Sequence, residues 1–151
     1  MEVGFFTMPI HPIDKDYKKT LSEDREAFLL ADKIGFSEAY CGEHVTDAAE
    51  NITSSALFIA SLAAETKKIR LGTGTVNMPN SHPAAIAGQI AMLDHMLDGR
   101  FNFGISPGGL ASDAEVFGNL DKNRNEMFVE CIDMVLAVSY THLRAHETLN
   151  H

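Results

Sequence analysis

The chain has 151 residues, of which 45% are hydrophobic, so it is long enough to bury the core of one domain. A formal net charge of -9, with no run of Lys and Arg, excludes nucleic acid and anionic membrane surfaces as expected partners. No apolar stretch approaches the roughly 20 residues of a membrane helix, and no signal-peptide pattern follows Met1, so we expect a cytoplasmic protein.

The first strand-like run covers residues 3–7 and is almost wholly apolar, which predicts a strand buried on both faces. A helix is predicted over 16–34, with Gly35 as its C-cap. The inner face of this helix is predicted to carry Leu21, Phe28, Ala31 and Ile34.

A second strand is predicted over 37–41, followed by a helix that runs through Thr66. Three consecutive hydroxyl residues are N-cap candidates for this helix, namely Thr53, Ser54 and Ser55. Its inner face is predicted to hold Leu57, Ala60 or Ser61, and Ala64.

The third strand is predicted over 69–76, where the glycines indicate a bulge or the close approach of another group. A helix then starts at His82-Pro83, with His82 more plausible as a cap than as a ligand, and stops at Gly99. Strand four covers 101–105, and a last helix covers about 122–138.

Strands that alternate with helices at this spacing require crossover connections and therefore pair in parallel, which defines an α/β fold. Two architectures fit the pattern. A small doubly wound sheet is complete at this length, whereas in a TIM-type barrel the chain is the first half of eight βα units. Length favours the doubly wound sheet, and the motifs favour the barrel.

Residues 139–151 differ from the domain predicted over 1–138, because three of the seven histidines fall there and little apolar periodicity follows Leu143. We interpret this tail as an unrelated, artefactual extension; the alternative is a natural terminus. His142 and His146 have a helical metal-pair spacing but lack a third ligand, and Cys41 and Cys131 show no metal spacing either. We therefore expect no metal.

Ligands of parallel α/β folds bind at the carboxyl ends of the strands. There the sequence places Glu43-His44, and an imidazole at a strand exit can exchange a proton or hydrogen-bond a reactive oxygen. Glu43 either orients His44 or is solvated. Residues 73–77 offer small side chains where a flat ring could lie, or form a bulge, and 106–109 form a ligand-approaching loop or an ordinary turn.

Taken in order, FFTMPIHP, GEHV, RLGTGTVNMPNSHP, IAMLDHMLDGRFNFGISPGG and EVFG resemble the luciferase-like flavin-dependent monooxygenases. The details MPIHP and ENI look most like the limonene-monooxygenase-type branch. The resemblance covers about residues 1–138 and implies that the chain is the first four βα units of an eight-stranded barrel.

The resemblance implies reduced FMN as cofactor, oxygen and a small organic substrate as reactants, a flavin reductase as partner, and a homodimeric parent protein. It makes His44 the catalytic residue and places a non-prolyl cis peptide at Gly74-Thr75. Together with the strand exits, it predicts that the flavin is bound by Met8, Glu43, Gly74, Thr75, Asn77, Ser106, Gly108 and Gly109.

Two positions depart from the bacterial luciferases within this resemblance. Ser106 stands where those enzymes have a cysteine near the reactive edge of the flavin, and Pro107 replaces an arginine that helps hold the phosphate. Light emission is therefore not expected, and phosphate binding is left to Arg124 or to segments outside the chain.

Two alternatives to the monooxygenase remain open. One is a deazaflavin-dependent dehydrogenase with a similar barrel and strand-exit histidine. The other is a non-catalytic half barrel that self-associates through open sheet edges. We expect the 151-residue chain to be inactive by itself, because half of the pocket wall of the family barrel is missing from it.

Overall fold

The computed structural model describes residues 1–147, with side chains described through Tyr140. Its elements, in chain order, are β1 (Gly4–Thr7), α1 (Tyr17–Ile34), β2 (Glu38–Cys41), α2 (Ser55–Leu62), β3 (Arg70–Thr73), β4 (Val76–Asn77), a 3-10 turn (Met78–Asn80), α3 (Pro83–Met96), β5 (Phe101–Asn102), β6 (Ile105–Ser106), α4 (Ala111–Val116) and α5 (Arg124–Glu147). None of the helices in the described part of the chain is long and apolar enough to cross a membrane.

The helix ends follow the expected capping chemistry. Ser54 caps α2 by accepting a hydrogen bond from Leu57, and His82 caps α3 by accepting one from Ala84, as the sequence indicates. Gly35 ends α1 with a φ of 90°, a left-handed conformation that glycine adopts without a steric penalty.

Helix α5 is longer than the sequence predicts and continues to Glu147, past the predicted boundary at 139. The side chains of His142 and His146, and all of residues 148–151, lie outside what the structure describes. The proposed distinction between a domain over 1–138 and a tail over 139–151 therefore stays a prediction.

Four strands form one parallel sheet in the order β1-β2-β3-β5, and β4 pairs with β6 in a second, two-stranded parallel sheet. The predicted third and fourth strands are thus each divided in two. The division occurs where the Thr73 hydroxyl takes part in the pairing with Gly104. The Gly104 N–H donates to Thr73 Oγ1 at 2.9 Å, and this hydroxyl donates at 2.8 Å to the Gly104 carbonyl, which also accepts from the Val76 N–H at 2.9 Å.

Helices α1, α2 and α3 pack on one face of the four-stranded sheet and form the main core with it, whereas α5 packs in a second cluster with α3 and the 3-10 turn. Phe28 of α1 lies at the centre, with its ring 5.2 Å from those of Phe5 and Phe58 in edge-to-face contacts. Three predicted inner-face residues are wrong: Ile34 is 62% exposed, Leu57 is 75% exposed, and Ala64 is exposed beyond the end of α2 at Leu62. The buried stripe of α2 is instead Ser55, Phe58, Ile59 and Leu62. Because α2 is apolar nearly all round, its periodicity did not identify the buried face.

On the other face of the sheet, β1 is open to solvent. Phe6 of β1 is 60% exposed there, so the prediction of a strand buried on both faces is wrong for this chain. The same face carries a polar network in which Tyr40 donates to Glu38 and accepts from Asn102, each at 2.9 Å. Arg70 joins it by donating to the Asn102 side-chain oxygen at 2.8 Å.

The predicted close approach to the glycines of strand three is confirmed, and the approaching groups are two of the protein's own rings. A Cβ built on Gly72 would lie 2.4 Å from the Tyr40 ring, and one on Gly74 would lie 2.8 Å from the Phe6 ring. Glycine is therefore required at these positions because aromatic side chains of β1 and β2 lie across the backbone of strand three.

Candidate active site at the strand exits

A cavity of about 430 Å³ opens at the carboxyl ends of the strands. Its lining is Met8, Glu43, His44, Gly74, Thr75, Asn77, Ser106, Gly109 and Leu110. Eight of the nine site residues predicted from the sequence are in this set, although they come from four separate chain segments. Gly108, the ninth, does not line the cavity but lies against Asn77 with a φ of 80°. Leu110 was not predicted.

The strand exits converge because the parallel hydrogen bonding continues past the last strand residues. The Gly42 N–H donates to the Thr7 carbonyl at 3.0 Å, and the Gly74 N–H donates to the Cys41 carbonyl at 2.7 Å. Met8 then packs directly onto Gly42, where an added Cβ would lie 1.7 Å from its sulfur. The peptide bond Gly74-Thr75 is cis, as the family resemblance implies.

His44 is held by a partner that the sequence did not reveal. Its Nδ1 lies 2.9 Å from Oδ2 of Asp113, which α4 carries and which is almost fully buried. The other Asp113 oxygen accepts from the Thr46 N–H at 2.9 Å and from the Thr46 hydroxyl at 2.7 Å. One carboxylate therefore fixes both the ring and the loop that follows it.

Burial alone would raise the pKa of the Asp113 carboxyl, but hydrogen bonds from Thr46 and His44 outweigh burial and hold this pKa below its usual value. The group is therefore ionised near neutral pH and can only accept hydrogen bonds. It follows that Nδ1 of His44 carries a proton and that Nε2 is the nitrogen through which the ring can act.

Glu50 faces that second nitrogen. Its Oε2 lies 3.8 Å from His44 Nε2, and the exposed fractions of the two side chains are 14% and 20%. Burial raises the pKa of the Glu50 carboxyl, with a further increase from Asp47 and Asp113 and an opposing contribution from His44. Neither Asp113 nor Glu50 was a sequence candidate, because both lie in stretches read as connecting loops without apolar periodicity.

Glu43 lines the cavity, but its carboxylate is engaged away from His44. One oxygen accepts from the Ser55 N–H at 2.9 Å and from the Ser55 hydroxyl at 2.6 Å, and the other accepts from the Asn77 N–H at 3.2 Å. Glu43 thus links the exit of β2 to the start of α2 and to β4. In the part of the chain that the structure describes, no hydrogen bond or ion pair joins its carboxylate to the His44 ring.

A chain of side-chain hydrogen bonds runs along the cavity wall formed by the third and fourth strand exits. Thr75 donates to the Ser106 hydroxyl at 2.7 Å, and Ser106 donates to the Asn77 side-chain oxygen at 2.9 Å. The Gly108 N–H also donates to Ser106, at 3.2 Å. Arg124, at the start of α5, donates to the Gly108 carbonyl at 3.1 Å, so its guanidinium lies beside the predicted ligand loop.

These residues fit a flavin. The volume of the cavity is within the range of ligand pockets, about 300–1,000 Å³. Gly109 has no atom within 4 Å of the position of an added Cβ, so this part of the wall is open, whereas the space beside Gly74 is taken by Phe6. Hydroxyl and amide groups of Thr75, Asn77 and Ser106 supply polar partners, and Arg124 is a cation bonded to the Gly108 carbonyl, next to the cavity-lining Gly109.

Comparison with known proteins places this geometry in a family. The family model for luciferase-like monooxygenases matches residues 1–151. A 4-hydroxyprotoasukamycin monooxygenase from Streptomyces nodosus subsp. asukaensis is 36% identical over 132 residues, which are 87% of this chain and 36% of the relative. Limonene 1,2-monooxygenase from Rhodococcus erythropolis is 34% identical over 135 residues, or 89% of this chain and 35% of the relative.

Among solved structures, the oxygenating constituent of 3,6-diketocamphane monooxygenase from Pseudomonas putida, in complex with FMN, superposes with a TM-score of 0.85. It is 29% identical, and the match covers 89% of this chain and 38% of that structure. The chain therefore spans a little over a third of the length of the relatives it matches. On sequence and fold together, it belongs to the luciferase-like monooxygenase family.

Proposed function

We propose that this chain forms the flavin-facing part of a monooxygenase site, in which FMN, oxygen and a small organic substrate meet at the strand exits around His44. The observation that carries the proposal is the single cavity that collects eight predicted site residues from four chain segments. In the parent protein, remaining barrel segments complete the wall, and a separate reductase supplies reduced flavin to a homodimer.

Each residue has a place in this proposal. Met8 and the Gly74-Thr75 backbone border the ring of the flavin. The polar edge of the ring receives hydrogen bonds from Thr75, Asn77 and Ser106. Arg124 pairs with the flavin phosphate. Glu43 and Gly108 act by holding Asn77 and Ser106 in position. Reduced flavin supplies the electrons with which one oxygen atom is transferred to the substrate.

His44 handles the proton in this site. Because Asp113 accepts the Nδ1 proton, Nε2 can hydrogen-bond a reacting oxygen or pass a proton to it. The ionised Asp113 also stabilises the imidazolium that forms when Nε2 takes up a proton, because opposite charges attract more strongly in a partly buried site than in water. The chain by itself is expected to bind flavin without turning over substrate.

Titration of the purified chain with FMN, followed by flavin fluorescence, tests the proposal. We expect saturable binding in the micromolar range. Gly109→Leu adds a side chain at the open cavity wall and is expected to weaken binding at least about tenfold, or about 1.4 kcal/mol. Gly88→Leu is the matched control, because Gly88 is exposed on α3 with no atom within 4 Å of an added Cβ.

Equal affinities of the Gly109→Leu and Gly88→Leu variants would contradict binding in this cavity. A parallel titration with a deazaflavin, which absorbs at a shorter wavelength than FMN, separates the two cofactor classes. If the chain binds the deazaflavin more tightly than FMN, the result would favour the deazaflavin-dependent dehydrogenase over the monooxygenase. Absence of binding by both, together with self-association in gel filtration, would support the non-catalytic half barrel.

A further inference from the structure

Glu50 is a largely buried acidic group that the proposed function does not yet use. Its backbone forms an antiparallel bridge with Ile10, which fixes it beside the exit of β1. From there its carboxylate reaches across to His44 Nε2, on the opposite side of the ring from Asp113. His44 therefore lies between two carboxylates that come from different segments, one at each ring nitrogen.

We propose that Glu50 is the proton partner of His44, exchanging one proton between Oε2 and Nε2 while Asp113 holds Nδ1. This inference rests on the proposed function for its role in oxygen transfer, but the exchange itself belongs to the flavin-free protein. Glu50 acts through His44 and is therefore a positioning and proton-supplying residue, not one that contacts the cofactor.

The step is balanced without a further reactant. Protonated Glu50 and neutral His44 convert to the Glu50 carboxylate and the His44 imidazolium when the O–H bond at Oε2 breaks and an N–H bond forms at Nε2. No electrons are transferred, and the reverse step restores both groups. The separation of 3.8 Å is just beyond a direct hydrogen bond, so a small side-chain rotation or one bridging water connects the atoms.

The two carboxylates are suited to different tasks. Asp113 accepts four hydrogen bonds, from His44, Val45 and both the N–H and the hydroxyl of Thr46, and this stabilises its ionised form. Glu50 is desolvated, and its pKa is raised, which brings protonation of the carboxyl closer to neutral pH. The charged groups that act on Glu50 are His44, Asp47 and Asp113.

Histidine side-chain NMR of the ¹⁵N-labelled full chain, without flavin, tests the proposal. The ¹⁵N shift of His44 Nε2 is followed between about pH 4 and 8, with the signal assigned by its loss in His44→Gln. In the wild type we expect two inflections, because two interacting groups titrate as a coupled pair. Glu50→Gln keeps the size of the side chain but cannot exchange a proton, and we expect it to reduce the two inflections to one.

Asp47→Asn is the matched control, since Asp47 is an exposed acid in the same loop whose oxygen accepts from the Ala49 N–H, as an Asn oxygen also can. It should keep both inflections. Identical curves for the wild type and Glu50→Gln would overturn the proposal, whatever the effect of Glu50→Gln on stability.

FMN titration of the same samples separates this inference from the proposed function. If the coupled titration is present but FMN does not bind, the proton pair stands and the flavin proposal fails. If FMN binds in the cavity but the wild type and Glu50→Gln titrate alike, the flavin proposal stands and the role of Glu50 is refuted.

Discussion

The imidazole Nδ1 of His44 and the carboxylate Oδ2 of Asp113 lie 2.9 Å apart, although 69 residues separate them in the chain. The contact joins the exit of β2 to α4, the short helix that follows the fourth strand exit. The sequence predicts His44 as a reactive residue from its position at a strand exit. The contact with Asp113 fixes the orientation of its ring and places a proton on Nδ1.

Replacing Asp113 by Asn should lower stability most at neutral pH. The folded-state pKa of Asp113 lies below its unfolded value of about 3.9, so its contribution is present above about pH 4 and is lost as the pH falls through the folded pKa. We expect Asp113→Asn to lower the free energy of unfolding by about 1–3 kcal/mol at pH 7. Urea unfolding at pH 7 and pH 3 measures this.

The difference between wild type and Asp113→Asn should shrink at pH 3, because the wild-type carboxyl is then at least partly protonated. Asp121→Asn, at an exposed position, is the control and should change little at either pH. If Asp113→Asn lowers the free energy of unfolding by the same amount at both pH values, the charge of Asp113 does not contribute to stability.

Gly72→Ala should destabilise the sheet by about 1–3 kcal/mol, because the new methyl group overlaps the Tyr40 ring and displaces it from Glu38 and Asn102. Gly88→Ala adds the same methyl group where no atom lies within 4 Å and should stabilise α3 by about 0.5–1 kcal/mol. Urea midpoints of the two variants should therefore move in opposite directions. In the Tyr40→Ala background, Gly72→Ala should lower the free energy of unfolding less than it does in the wild type. An equal loss in both backgrounds would refute the explanation by overlap with the ring.

Glu43→Ala should cost about 1–3 kcal/mol, since it leaves the Ser55 and Asn77 N–H groups without their acceptor in a partly buried site. It should also weaken FMN binding, because Asn77 then loses its anchor to the exit of β2. Glu65→Ala removes an exposed carboxylate paired with Arg25 and should cost no more than about 1 kcal/mol. If the two variants have equal unfolding free energies, Glu43 does not link the strand exits.

Both cysteines should resist alkylation in the folded chain. Burial raises the pKa of the Cys41 thiol, with further increases from Asp24 and Glu43, and burial and Glu130 raise that of Cys131. Since the thiolate is the reactive form, labelling by iodoacetamide at pH 8 should be at least about tenfold slower in buffer than in 6 M urea. Mass spectrometry of the labelled peptides measures each site, and rapid labelling of Cys41 in buffer would show that the core around β2 is not formed.

The local sequence determined the parallel βα order, the starts of α1, α2 and α3, and the strand exits at which the site lies. These features depend on periodicity, caps and glycines that act over a few residues, such as Ser54, His82 and Gly35. The cis peptide at Gly74-Thr75 was predicted from the family resemblance and not from the local sequence. The strand exits, together with the family resemblance, selected eight residues of one cavity, because parallel strands bring their carboxyl ends to one edge.

Only the tertiary structure decided what the site residues touch. The burial of Phe58 rather than Leu57, the rings over Gly72 and Gly74, and the diversion of Glu43 to Ser55 and Asn77 all depend on how separate elements pack. The same is true of the two carboxylates beside His44. Asp113 lies on the six-residue helix α4 and Glu50 in the loop after β2, two stretches too short or too irregular to give a periodic signal. Their positions beside His44 depend on contacts between distant parts of the chain and cannot be predicted from neighbouring residues.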